Sequence, residues 1–218
     1  MYLILYIIDK IIKMEIVHNY SDDVGYLELY SGPMYSGKTS KLLDLYKQFT
    51  FCGLTTMVIN HADDSIRYSS SHLSTHDKLM IPCIMANKLS DICDICDSNT
   101  IDGNFEEEFK NAKIILINEG QFFEDIVEWV SIAVEKYNKN VYVCGLDGDF
   151  QRKKFGNWLE GLIPLCDNHT KFHSYCAECK KKKALFSHRL TDETAQKIIG
   201  TECYIPLCRL CYKKMNNL

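Results

Sequence analysis

Residues 32–39 read GPMYSGKT, a G-x-x-x-x-G-K-[ST] run. Before it stands an alternating stretch, residues 25–30 (GYLELY), which reads as a strand. After it, over residues 40–51, Leu42, Leu43, Leu45, Tyr46 and Phe49 recur at helical spacing. Strand, glycine-rich turn and helix are the context in which this run is a phosphate loop. Its glycines let successive backbone N–H groups turn toward phosphate oxygens, and the helix N-terminus adds a favourable dipole. Lys38 is then expected to reach the β- and γ-phosphates of a nucleoside triphosphate, and Thr39 Oγ to ligate Mg2+.

The rest of the chain supplies the sheet that such a loop needs. Residues 55–60 (TTMVIN) form a short β-branched strand. Residues 113–118 (KIILIN) and 140–146 (NVYVCGL) are continuous apolar runs, the pattern of strands buried on both faces. Helices are expected at 89–96, 105–111 and 126–137, and a polar loop at 63–77. Strands alternating with helices predict a parallel α/β sheet with right-handed crossovers. The run ILINEGQFF (115–123) puts Asn118 and Glu119 at the C-terminal end of a buried strand, where open α/β sheets bind ligands. A metal-organising acid would sit there. Asn118 is a neutral ligand at best, so Mg2+ must lean on Thr39, water and phosphate oxygens. Glu119 is placed to act as a base on an incoming hydroxyl.

Eleven cysteines among 218 residues are an odd number, and too sparse for a disulfide scaffold in a chain this long. Cys176/Cys179 and Cys208/Cys211 form C-x2-C-x28-C-x2-C. Two thiolates at that spacing share one ion from a tight knuckle, and two knuckles complete a tetrahedral Zn2+ site. Cys93 and Cys96 lack a matching pair and are expected on the buried face of the 89–96 helix. Cys52, Cys83, Cys144, Cys166 and Cys203 read as small buried hydrophobes. Net charge is −4, from 25 basic and 29 acidic side chains, which argues against a globally basic nucleic-acid binder. Residues 168–218 carry ten basic and four acidic groups, +6, which leaves −10 for residues 1–167. This sign change predicts an N-terminal extension (1–24), a nucleotide-binding domain (25–167) and a zinc-binding domain (168–218). Lys180–Lys183 are either a solvated face or an attractor of anions. The apolar start, MYLILYIIDKII, is charge-free only to Ile8, too short to span a membrane, and lacks a signal-peptide pattern. It is an amphipathic extension or an upstream stretch before a start at Met14, and the expected address is the cytoplasm.

The combination of GPMYSGKTS (32–40), RYSSS (67–71) with THD (75–77), ILINEGQFF (115–123), LDGDFQRKKFG (146–156), CAEC (176–179) and CRLCY (208–212) resembles the cellular and poxvirus-type (type II) thymidine kinases. The resemblance covers about residues 26–214. It implies a P-loop parallel sheet flanked by helices, with a small zinc lobe carrying a lasso loop. It further implies transfer of the ATP γ-phosphate to the 5′-hydroxyl of thymidine, giving dTMP and ADP.

By that likeness Gly32, Pro33, Met34, Tyr35, Ser36, Gly37, Lys38 and Thr39 would cradle the ATP phosphates, with Asn118 and Gln121 beside them. Glu119 would be the general base, and Arg67 would help stabilise the transferring phosphoryl charge. Met34, Leu146, Phe122, Phe150 and Phe155 would surround the thymine, a set suited to a flat base with a methyl group. Ser187, Ile198 and Tyr204 would complete the thymidine site from the lasso. Two departures stand out: Asn118 occupies a position where Asp is common, and Asp64 is displaced by one residue relative to Arg67. The family also implies a homotetramer and feedback inhibition by dTTP, with no nucleic acid or membrane as partner. With only four arginines (Arg67, Arg152, Arg189, Arg209), the chain is poorly equipped to clamp a phosphorylated acceptor, as a nucleoside monophosphate kinase must.

Overall fold

The computed structural model describes residues 24–63, 72–74, 80–96, 101–197 and 203–218. From the N-terminus come β1 (Tyr26–Gly32), α1 (Lys38–Phe51), β2 (Thr56–His61), β3 (His72–Ser74), β4 (Met80–Pro82) and β5 (Ile84–Ala86). Then follow α2 (Glu106–Asn111), β6 (Ile114–Ile117), α3 (Ile126–Glu135), β7 (Asn140–Leu146), α4 (Trp158–Leu162) and β8 (Asn168–Lys171). The C-terminal part holds β9 (Ser174–Tyr175), β10 (Lys183–Ala184), β11 (Phe186–Arg189), β12 (Tyr204–Leu207) and α5 (Arg209–Met215).

Six strands form one sheet in the order β5-β2-β6-β7-β1-β8, and every neighbouring pair is parallel. Alternation along each strand divides its side chains between two apolar layers. Tyr30, Val58, Ile114, Leu116 and Tyr142 pack with Leu42, Leu43 and Phe49 of α1. Leu29, Ile59, Ile115, Ile117, Val141 and Val143 pack with Phe109, Trp129, Val130 and Trp158 on the opposite face. All four residues of β6 are buried, as its unbroken apolar run requires. The order places β7 between β1 and β6. The phosphate loop and the NEGQ run therefore leave the same sheet edge from strands that flank a third.

Residues 89–96 are not a helix but a series of turns, which corrects the expectation. Their backbone groups have tertiary partners instead. Asp125 accepts the N–H groups of Leu89 (3.2 Å) and Ser90 (2.9 Å), Asp94 pairs with Asp102, and the Cys93 carbonyl accepts the Trp129 indole N–H at 2.9 Å. Within the expected 63–77 loop, His72–Ser74 is a strand paired antiparallel with β4. Of the seven thiols expected in the interior, Cys93 and Cys144 are buried, whereas Cys52, Cys83, Cys96, Cys166 and Cys203 are only partly so.

The charge boundary also differs from the packing boundary. β8, placed by charge in the second unit, pairs with β1, and the Asp167 carboxylate accepts the Leu27 N–H at 2.8 Å. The core sheet thus extends to Lys171. Beyond it, two antiparallel strand pairs and α5 form a small lobe around Cys176, Leu207, Cys208, Cys211 and Tyr212. Lys180–Lys183 lie exposed on its surface.

Candidate active site

The phosphate loop is shaped by two glycines with different reasons to be there. At Gly32 (φ +151°) a Cβ would stand 2.5 Å from the Phe172 carbonyl oxygen, so the close approach of the following chain forbids a side chain. Gly37 (φ +87°) takes the left-handed conformation that opens α1, and nothing lies within 4 Å of where its Cβ would be. That open space is what an approaching anion needs. Lys38 folds across the loop and donates to the Pro33 carbonyl (2.8 Å) and Ser36 Oγ (3.3 Å). Burial pushes its ammonium below the usual lysine range, and the negative charge of Glu119 opposes that shift. Lys38 and Glu119 thus share one electrostatic neighbourhood. Thr39 sits half-buried in the first turn of α1.

Glu119 has a left-handed backbone (φ 57°, ψ 41°) and caps a 3-10 turn, Gly120–Phe122. A residue with a side chain pays strain there, and such strain is held only where the surroundings over-determine it. The Gln121 amide nitrogen donates to the Glu119 carboxylate, while Gln121 Oε1 accepts the Leu146 N–H at 2.9 Å. Gln121 is buried between two glycines: a Cβ at Gly145 would lie 2.7 Å from its Oε1, and one at Gly156 2.4 Å from its backbone oxygen. Both ends of the Gln121 side chain are therefore engaged in aiming Glu119.

Asn118 is buried with both ends of its amide engaged. Its Nδ2 donates to Asn60 Oδ1 at 2.9 Å, and its Oδ1 accepts from Cys144 Sγ at 3.0 Å. Asn60 and Cys144 lie near the C-terminal ends of β2 and β7, Asn118 follows β6, and the three form a neutral polar chain. Neither Asn60 nor Cys144 stands in a recognisable motif, and only the strand order reveals them.

Of the apolar side chains expected around a base, two are in contact. Phe122 and Phe155 meet edge-on at 5.4 Å, and His61 lies 5.3 Å from Phe122. Met34, Leu146 and Phe150 are half-buried. The small lobe is fastened to this wall: the Met34 N–H donates to Ser187 Oγ (2.9 Å), and the Tyr212 hydroxyl donates to the Phe150 carbonyl (2.6 Å). Tyr204 begins the strand paired with that of Ser187. Arg67 and Ile198 lie outside the described residues.

In the lobe, Cys176, Cys179, Cys208 and Cys211 bring their sulfurs within 4.8 Å of one another, and Cys179 and Cys208 stand 3.9 Å apart. A tetrahedral thiolate site with Zn–S of about 2.3 Å needs sulfurs about 3.8 Å apart. The cluster fits a structural zinc.

A parallel sheet with a phosphate loop, and a carboxylate on the strand two places away, defines a P-loop enzyme that acts on nucleotides. The family model for thymidine kinase matches residues 25–212. The chain is 39% identical over 194 residues to the thymidine kinase of Yaba monkey tumor virus, covering 88% of this chain and 97% of that one. It is 37% identical to the sheeppox virus thymidine kinase (87% and 98% covered) and 36% identical to the human cytosolic thymidine kinase (87% and 74% covered). The chain belongs to the thymidine kinase family.

Proposed function

We propose that the protein phosphorylates thymidine at its 5′-hydroxyl, with ATP as donor. The observation that carries this reading is the placement of Glu119. It is held by Gln121, within the electrostatic reach of Lys38, on the strand two places from the phosphate loop. In the reaction the 5′-oxygen attacks the γ-phosphorus, its proton passes to the Glu119 carboxylate, and the bond to the β-phosphate oxygen breaks to release ADP. The loop N–H groups and Lys38 hold the triphosphate in line. Mg2+, held through Thr39 Oγ and phosphate oxygens, would neutralise charge on the β- and γ-phosphates. Phe122, Leu146, Phe150 and Phe155 would form an apolar slot for the base. Loop backbone over that slot would read the polar edge of thymine, because each buried polar group left unpaired costs about 1–3 kcal/mol.

By the family likeness, Arg67 would act on the transferring phosphoryl group and Ile198 would offer its backbone to the base. Feedback inhibition by dTTP, a homotetrameric assembly and a cytoplasmic address are part of the same reading. No helix among the described residues is long and apolar enough to cross a membrane, and the human relative is named as cytosolic.

The deciding experiment is an acceptor panel with ATP and Mg2+, with dTTP added in a second series. Thymidine should be converted to dTMP and slowed by dTTP. Preference for thymidylate as acceptor would replace this reading with that of a nucleoside monophosphate kinase.

A further inference from the structure

Arg189, the last residue of β11, is 4% exposed. Its Nη1 donates to the carbonyls of Glu193 (2.7 Å) and Ala195 (2.5 Å). Its Nη2 donates to the Gln196 carbonyl (3.0 Å) and the Tyr204 hydroxyl (2.5 Å), and Nε reaches that hydroxyl at 3.2 Å. The guanidinium carbon lies over the Phe150 ring, 3.7 Å from its centre. A cation this buried is tolerated only when its donors are met, and here they are met by the two sides of the connection between β11 and β12. The connection is also latched from outside. Gln196 Nε2 donates to Asp149 Oδ2 (2.9 Å) and the Lys154 carbonyl (3.0 Å). Lys197 pairs with Asp63, and its ammonium sits 4.3 Å over the Phe122 ring. Asp149 is itself fixed by the N–H groups of Gln151 (2.9 Å) and Lys153 (2.8 Å).

We propose that Arg189 is a positioning residue for nucleoside recognition: it holds residues 193–196 and Tyr204 against Phe150 before the nucleoside arrives. This rests on the reading above that the slot takes thymidine. A loop ordered in advance binds without the cost of ordering it on each encounter, so the benefit falls on thymidine and not on ATP. The task suits arginine alone among cations, because only its planar fork supplies five fixed donors while stacking on a ring.

Arg189→Lys keeps the charge and loses both the fork and the stack. Arg189→Gln removes the buried charge and so retains a folded reference. In both, the KM for thymidine should rise about tenfold or more, while the KM for ATP and the zinc content change less than about twofold. Limited proteolysis should cut the variants faster within residues 190–197 and leave the core fragment intact. Combining Arg189→Lys with Tyr204→Phe should raise the thymidine KM by less than the product of the single effects, since both remove one shared link.

An active protein whose Arg189 variants keep the thymidine KM, or in which both KM values rise together, overturns the proposal and leaves the functional reading intact. An unsubstituted protein that does not phosphorylate thymidine overturns the functional reading and this proposal with it.

Discussion

Glu119 and Asn118 are adjacent in sequence and opposite in character. Glu119 is half-buried, strained at its backbone and aimed by one hydrogen bond from Gln121. Asn118 is buried, unstrained and joined at both ends to neutral partners. Replacing Glu119 by Gln removes the proposed proton acceptor without changing shape, so kcat should fall by roughly 10²–10⁴, the usual worth of a general base. Near-full turnover in that variant, read in a steady-state assay, would remove Glu119 from the mechanism. Asn118→Asp is a different matter. The Cys144 thiol can still donate to a carboxylate, and the Asn60 amide can turn its nitrogen toward one. Activity should therefore stay within about tenfold. A larger loss would mean that the neutral chain itself matters for turnover. The placement of Glu119 at a strand end was legible in the sequence. The engagement of Asn118 was not, because Asn60 lies 58 residues away and joins it only through strand pairing.

At the scale of elements, short helices and turns depend on capping groups far away in sequence. Helix α2 has only six residues and ends under Lys139, whose ammonium donates to the carbonyls of Lys110 (3.1 Å) and Ala112 (2.7 Å). Burial, with Lys113 adding to it, lowers the Lys139 pKa to about 8. The unfolded chain therefore holds this proton more tightly than the folded one. Below pH about 8 the buried charge costs its full amount, and the cost fades as pH rises toward the ordinary lysine value. In Lys139→Met that pH dependence is gone. The stability advantage of the native protein over the variant should grow between pH 7 and pH 9.5 in denaturant titrations. A constant or shrinking advantage would show that Lys139 is not held in this way. Residues 89–96 teach the same lesson. Ile92 and Cys93 are buried as expected and Cys96 only partly so, but the groups a helix would have paired internally went elsewhere: the Asp94 N–H to the Asp102 carbonyl, the Ile92 carbonyl to the Phe105 N–H, and the Cys96 N–H to the Asp94 carboxylate.

For the whole molecule, the decisive relation is between the sheet and the small lobe. The lobe has few buried apolar residues, and four of those at its centre are the clustered cysteines or their neighbour Leu207. A zinc ion at the four sulfurs would hold an assembly that small more than its core does. Stripping zinc with a chelator should abolish thymidine binding, measured by calorimetry, while far-UV circular dichroism and ATP binding report an intact sheet. Unchanged thymidine affinity after verified metal removal would separate the lobe from the nucleoside site. The change in charge falls between β1 and its partner β8 in sequence and not at the edge of the sheet. Charge follows the solvent-facing residues, whereas β8 belongs to the sheet through its backbone pairing with β1.

The sequence by itself determined the chemistry that short-range geometry can make. A phosphate loop is built from consecutive backbone N–H groups, and a zinc knuckle from two thiolates three residues apart, so both are written in contiguous letters. Buried strands declared themselves in the same way, because a strand covered on both faces admits little but apolar residues. Only the tertiary structure decided which buried polar groups meet. Asn60 with Asn118 and Cys144, Gln121 with the Leu146 N–H, and Arg189 with Tyr204 and Phe150 are brought together by strand order and loop closure. A polar side chain leaves no periodic trace of its partner, and the requirement that it find one is settled only when the layers pack.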